Sequence, residues 1–589
     1  MSIIAAPFTN VVFSKYQTSV FDAVKTADKN ILVNAVAGSG KSFTLEHAMK
    51  HMPRNARIVA LAFNKAIAEE LQRRIPDGAM AATLNSIGHR TWAAYIKAAV
   101  DGSKTRVIAR ETVPFAERDY TSDVISLVSK AKVHGLVTKE AKALAKSTIV
   151  GLMEDTDENW LVIAARYGID LPWQYSRILE LARQCLTKSI LNTAVIDFDD
   201  QLFMPVIYGV RFQTFDWVLV DEAQDLSDIQ IEMIKRMGNP GTRYLFVGDR
   251  RQSLYAFRGA DSKAMDRIKA ELNCAELPLS VTYRCPKLVV NEARRYEPAI
   301  EPRDNAPEGV VRNGGYYFDA DYQMGDMVVC RRSLPVITLA YTLIGRRIKC
   351  RVQGRDLAEG IKSLVRKLRA RSVEDLLRKL GDWENRQIAL LQESDDEAKI
   401  EQVLDKANTI KVIIQSCNAT SVEQVEQEID GLFSGDGPCV LLSTVHRAKG
   451  LEADRVFIID NDVTPKWAMR SEESMEQERN IKYVAVTRAK KELVYVTTSP
   501  AARTKGPDSL ETKAMELGAK VEWTKATAAE EAEFQADTGA TQNVLAKTEA
   551  ELVNAATGEA MAADAQRVTE PKPKRKYTRK AKPSSGDLF

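Results

Sequence analysis

The chain has 589 residues, 45% hydrophobic and 28% charged, with 83 Lys and Arg against 80 Asp and Glu for a formal net charge of +3. That length suits about three to five domains, and that composition suits a water-soluble globular protein rather than a fibrous or disordered one. No apolar stretch reaches the about 18 residues of a membrane span, residues 1–16 lack a secretory pattern, and the seven scattered cysteines form no C-x-x-C pair, which points to a cytoplasmic, reduced, non-membrane protein without a disulfide framework or zinc site.

In chain order, short β-branched apolar runs at 31–34, 58–62, 217–220 and 244–247 read as parallel strands buried on both faces. Helical patterns at 43–51, 66–73 and 227–237 lie between them, so the first part is a doubly wound α/β core. A second series follows, with strands at 327–330, 440–443, 455–459 and 493–497 and helices at 334–344 and 475–487. Between the halves of the first core, 100–189 lacks strand runs and reads as helical. Between the halves of the second, 372–405 and 421–433 are charged and amphipathic at helical spacing. The expected fold is therefore α/β with two parallel-sheet cores, each interrupted by a mainly helical insertion. The first core is expected over 1–99 and 190–270 around an insertion at 100–189; the second over 271–354 and 438–505 around a small insertion at 355–437. From about 526 the composition turns to Ala, Glu, Thr and Gln, and 526–589 is expected to be a disordered tail with a basic run at 571–583.

The strongest local signal is Ala35-Val36-Ala37-Gly38-Ser39-Gly40-Lys41-Ser42, placed after a strand and opening a helix. Glycines let backbone N–H groups curl around phosphate oxygens, and the helix N-terminus adds a positive dipole. On this reading Ala37, Gly38, Ser39 and Gly40 line an ATP site, Lys41 reaches the β- and γ-phosphates, and Ser42 holds Mg²⁺. Asp221 and Glu222 end the run Val218-Leu219-Val220. Asp221 is the second Mg²⁺ group, and Glu222 orients or deprotonates the attacking water.

These residues sit within a longer series. Asp221-Glu222-Ala223-Gln224-Asp225 resembles the D-E-x-Q-D box of the UvrD/Rep-type helicases of superfamily 1, and the stretch from Gly248 to Ala260 resembles their G-D-x-x-Q-x-I-Y-x-F-R-G-A box. Thr282-Tyr283-Arg284, the stretch from Thr444 to Glu452, and Glu478-Arg479 with Tyr483-Val484-Ala485-Val486-Thr487-Arg488-Ala489 resemble three further boxes, in family order. The stretch from Ala62 to Ala68 resembles the F-box DNA helicase branch.

The resemblance implies two RecA-like cores with ATP between them. It implies Gln17 reading adenine, Tyr283 stacking on it and Glu452 on the ribose. Gln252 is implied at the γ-phosphate, and Arg284 and Arg488 as arginine fingers from the second core. It implies 3′-to-5′ movement on single-stranded DNA and duplex junctions, with Phe63, Tyr255 and Phe257 stacking on bases and Asn64, Thr83, Arg258 and His446 contacting nucleic acid. From the residues alone, Phe63 could instead be core. Thr83-Leu84-Asn85-Ser86 departs from the family's T-F-H-S: Leu84 cannot stack, and Asn85 lacks a histidine's charge. The acidic-apolar end Gly586-Asp587-Leu588-Phe589 is a candidate dock for a replication or recombination protein.

Overall fold

The computed structural model describes residues 12–502 apart from 27–28, 168, 170, 172–174, 255–263, 394–396 and 435–436. All of these fall within one unit, Met1–Gly518. The tail expected over 526–589, with its basic run, lies outside the described residues.

Two six-stranded sheets form the frame. The first runs in the order Met80–Ala82, Ile58–Leu61, Trp217–Val220, Arg243–Gly248, Asn30–Ala35, Cys274–Leu279, every neighbouring pair parallel. The second runs Val310–Tyr316, Ala489–Thr497, Ala453–Ile459, Met327–Cys330, Val440–Thr444, Cys350–Val352, again all parallel. The central strands are the apolar runs of the sequence. Ile58–Leu61, Trp217–Val220 and Met327–Cys330 are buried along their whole length, because helices cover both faces. Cys274–Leu279 pairs with Asn30–Ala35. The first sheet therefore extends past residue 270, and Cys285, Val289 and Val290, which follow its last strand, pack into the second core.

Helices Lys104–Thr112, Thr121–Val133, Lys139–Leu144, Asp157–Arg166 and Tyr175–Leu191 make up the first insertion. A two-stranded parallel pair, Ala99–Val100 with Val195–Ile196, closes its neck. Its apolar residues are continuous with one face of the first sheet, so sheet and insertion share a core. Four buried charges lock the junction: Lys132 lies 2.8 Å from both Asp197 and Asp200, and Lys104 lies 2.6 Å from Asp200.

The second insertion comprises Arg355–Lys367, Val373–Glu393, Glu397–Cys417 and Val422–Phe433. The helical stretch read over 372–405 is thus two helices, the second running on to Cys417. That second helix is pinned to the core beneath it. The Asp405 carboxylate accepts from the N–H groups of Ser333 and Leu334 at 2.9 and 3.0 Å, capping helix Ser333–Gly345. Arg331 donates to Glu401 at 3.1 Å and to both oxygens of the buried Glu478 at 2.8 and 2.9 Å.

Candidate active site and nucleic-acid track

Three adjacent strands of the first sheet deliver the site from their carboxyl ends, where open parallel sheets bind ligands. Asn30–Ala35 runs into the glycine-rich loop, Trp217–Val220 into Asp221 and Glu222, and Arg243–Gly248 into Asp249. Gly38 and Gly40 stand at φ 71° and 78°, conformations that side chains resist. A Cβ on Gly38 would also lie 2.6 Å from Arg284 Cβ, so glycine is what lets the loop approach the second core. Helix Lys41–Met49 starts directly after Gly40.

Ser42 Oγ donates to Asp221 Oδ2 at 2.5 Å, and Lys41 Nζ lies 3.4 Å from Glu222 Oε1. Burial and the neighbouring Glu222 charge push Asp221 up to about 6. Burial works the same way on Glu222, but Lys41, Lys449 and the Gln224 amide outweigh it and hold Glu222 below its usual range. Of the two carboxyls, Glu222 is therefore the more readily ionised. Burial would lower Lys41, yet Glu222, Asp249 and Asp221 keep it above its ordinary value. Glu222 also sits at φ 53°, a strained backbone for a non-glycine residue of the kind found at working sites.

A chain of amides joins the two acidic boxes. Gln224 Nε2 donates to Glu222 Oε2 at 2.5 Å, Gln224 Oε1 accepts from the Asp249 N–H at 2.9 Å, and Gln252 Nε2 donates to Asp249 Oδ2 at 2.6 Å. Gln224 was not singled out from the sequence. Its place in the D-E-x-Q-D box was the only available signal.

The second core reaches this cleft at several points. The Tyr283 N–H donates to Gly38 O at 2.8 Å. The Tyr283 hydroxyl donates to Gln17 Oε1 at 3.0 Å, and Gln17 Nε2 donates to Thr44 at 3.3 Å, which brings the two expected adenine residues together. Arg284 Nε donates to Glu452 Oε2 at 2.7 Å, so the residue expected at the ribose holds an expected finger here. Arg488 is fully buried and donates to Val484 O at 2.9 Å, Leu451 O at 3.1 Å and Thr487 Oγ1 at 3.3 Å. No carboxylate pairs with it among the described residues, and burial and the Arg284 cation lower it to about 10. Lys449 Nζ lies 2.5 Å from Asp225 Oδ2, a half-buried ion pair across the two cores that the sequence reading missed.

These residues fit a nucleotide and its magnesium. The buried Ser39 hydroxyl in the loop has no hydrogen-bond partner among the described residues, as befits a donor for a phosphate oxygen. Asp221 beside Ser42 is a carboxyl whose raised value of about 6 a divalent cation would bring back down. Among the described residues no group of three His, Cys, Asp or Glu stands at metal spacing. Magnesium bound mainly by phosphates and water needs none.

The expected nucleic-acid residues divide into three sets. Phe63 is 65% exposed, which excludes the core reading. Asn64 and Thr83 are helix N-caps: their side chains accept from the N–H groups of Ile67 and Ser86 at 2.9 and 3.1 Å. His446 is half-buried in the turn after Val440–Thr444. Tyr255, Phe257 and Arg258 lie outside the described residues. Leu84 is buried, in keeping with its inability to stack. Beside it Asn85 Nδ2 donates to the backbone carbonyl of Phe198, whose ring is 65% exposed. The sequence reading missed Phe198, since an aromatic between Asp197 and Asp199 matches neither strand nor helix periodicity.

Two family descriptions match the chain: the UvrD/REP helicase N-terminal domain over residues 16–273, and the UvrD-like helicase C-terminal domain over residues 356–500. The chain is 23% identical over 510 residues to F-box DNA helicase protein 1 of Schizosaccharomyces pombe, covering 78% of this chain and 55% of that protein. It is 23% identical to the ATP-dependent DNA helicase PcrA of Leuconostoc citreum and 25% identical to that of Bacillus subtilis, in each case over 46% of this chain and 37% or 38% of the relative. The chain thus spans about half or less of the length of these relatives.

Proposed function

The chain belongs to the UvrD/Rep-like helicases of superfamily 1, and from that membership and the geometry of the cleft we propose that it hydrolyses ATP between its two cores and uses closure of the cleft to travel along single-stranded DNA, displacing the complementary strand at duplex junctions. The observation that carries this reading is Arg488: a buried cation with no carboxylate partner among the described residues, on a core that already touches the phosphate loop through Tyr283. A buried charge is costly unless compensated, and the γ-phosphoryl group supplies the compensation.

In this mechanism Lys41 and the loop amides hold the β- and γ-phosphates, and Gln17 and Tyr283 hold the base. Ser42 and Asp221 would hold magnesium, which would offset phosphate charge. The ionised Glu222 takes the proton of the attacking water. Gln252 contacts the γ-phosphate, and the Asp249–Gln224 relay links it to Glu222. Arg284 and Arg488 neutralise charge on the transferring group. Because the fingers come from the other core, hydrolysis requires closure and its release permits a step. Glu452 exchanges its Arg284 partner for the ribose as nucleotide enters.

Phe63 and Phe198 belong to the track, where stacking suits any base sequence. Phe63→Ala and Phe198→Ala are each expected to weaken single-strand binding by about 1–3 kcal/mol, equally for different sequences, in a fluorescence anisotropy titration. The tail beyond 526 is the proposed contact for a replication or recombination protein, and repair, replication or recombination the proposed setting.

The test is ATP-dependent strand displacement on duplexes with a 3′ or a 5′ single-stranded tail. Displacement from the 3′-tailed substrate supports a 3′-to-5′ helicase. Displacement from neither tail with ATPase intact would favour a second reading, a translocase that clears proteins from DNA. The small second insertion, pinned to its core through Asp405 and Glu401, speaks for that alternative.

A further inference from the structure

The phosphate loop makes one contact that neither nucleotide nor DNA accounts for. The Ala37 N–H donates to the Tyr483 hydroxyl at 2.8 Å, across the boundary between the cores. We infer that Tyr483 is a positioning residue of the ATP site, tying the phosphate loop to the helix that ends at Arg488.

Ala37 and Tyr483 are both fully buried, so water cannot replace the bond from either side. Val36, Ala37 and Leu254 of the first core pack into the apolar cluster of the second, with Tyr483, Val445 and Ala448 around them. A phenylalanine would fill the same space, so the hydroxyl is what distinguishes tyrosine at this position. A second peptide of the loop is held by the same core, Gly38 O accepting from the Tyr283 N–H at 2.8 Å. Two peptides of the loop are therefore anchored on residues beyond the first sheet. Tyr483 lies in the last turns of helix Glu472–Val486, and Arg488 folds back to donate to Val484 O in the same turns. A shift of the loop as phosphates enter is thus passed through one hydrogen bond to the segment that sets Arg488.

The inference rests on the ATPase reading, and its test uses Tyr483→Phe in the full chain with two readouts. The first does not depend on activity: hydrogen exchange in the peptide covering residues 36–40 is expected to quicken about tenfold without nucleotide, since the Ala37 N–H loses the Tyr483 hydroxyl as its acceptor. The second is a split in kinetics: DNA-stimulated kcat is expected to fall about tenfold while ATP Kd stays within about twofold. Tyr495→Phe is the control; it removes a hydroxyl bond to Glu292 at 3.0 Å in the same core, away from the cleft, and is expected to change neither readout. Unchanged exchange at the loop overturns the inference, as does an equal loss of kcat and affinity with a lowered melting point, the mark of a merely structural tyrosine. Absence of ATPase in the wild type would instead sink the functional reading, and the exchange result would still decide whether Tyr483 holds the loop.

Discussion

Glu222→Gln is expected to lower ATP turnover by a factor of about 10²–10⁴ while ATP still binds, the range that a positioned general base contributes. The substitution keeps the shape and an oxygen for the Gln224 amide, which now sits 2.5 Å from the carboxylate. It removes the more readily ionised carboxylate at the end of Trp217–Val220, the group that Lys41, Lys449 and Gln224 hold below its usual range against burial. It also removes the charge that helps push Asp221 up to about 6, so the magnesium group becomes easier to ionise. Binding should be preserved or tightened as chemistry is lost. Single-turnover hydrolysis beside a nucleotide titration checks this, and turnover within a few-fold of wild type would remove Glu222 from the base role.

Arg488→Ala is expected to cost about 10³–10⁵ in turnover, the magnitude of an arginine finger, with a much smaller change in ATP affinity. The side chain is held by two backbone carbonyls and the Thr487 hydroxyl, which fix its direction without neutralising it. Arg284 differs: it has a carboxylate partner in Glu452 and must give up that ion pair to act. Arg284→Ala should therefore also change nucleotide binding, whereas Arg488→Ala should act chiefly on the chemical step. Equal losses of affinity and rate in Arg488→Ala would place it in ground-state binding instead.

The interior of the fold was legible because central parallel strands are covered on both faces and must be continuously apolar. Within the two six-stranded sheets, the four described strands that went unread, Met80–Ala82, Cys274–Leu279, Val310–Tyr316 and Cys350–Val352, are the four edges. Edges are half-solvated, and they carry Glu276 and Pro278, or Asn313 with two glycines and a register shift, which break the apolar pattern. Residues bound to a glycine-rich loop or a strand end were legible for a related reason, since local spacing expresses their chemistry. Lys449 with Asp225, Arg331 with Glu478 and Tyr483 with Ala37 join segments far apart in the chain, and no spacing along the sequence encodes such pairs. Asn64 and Thr83 show the converse. A motif position suggested nucleic acid, whereas each side-chain oxygen is engaged in starting a helix.

The central claim, a motor whose cleft is worked by nucleic acid, is tested most directly by steady-state ATP hydrolysis with and without single-stranded DNA. The cleft geometry predicts slow hydrolysis alone and strong stimulation by DNA, lost in Glu222→Gln. Hydrolysis of equal rate with and without DNA would contradict it, and would turn attention to a protein partner as the trigger of the ATPase.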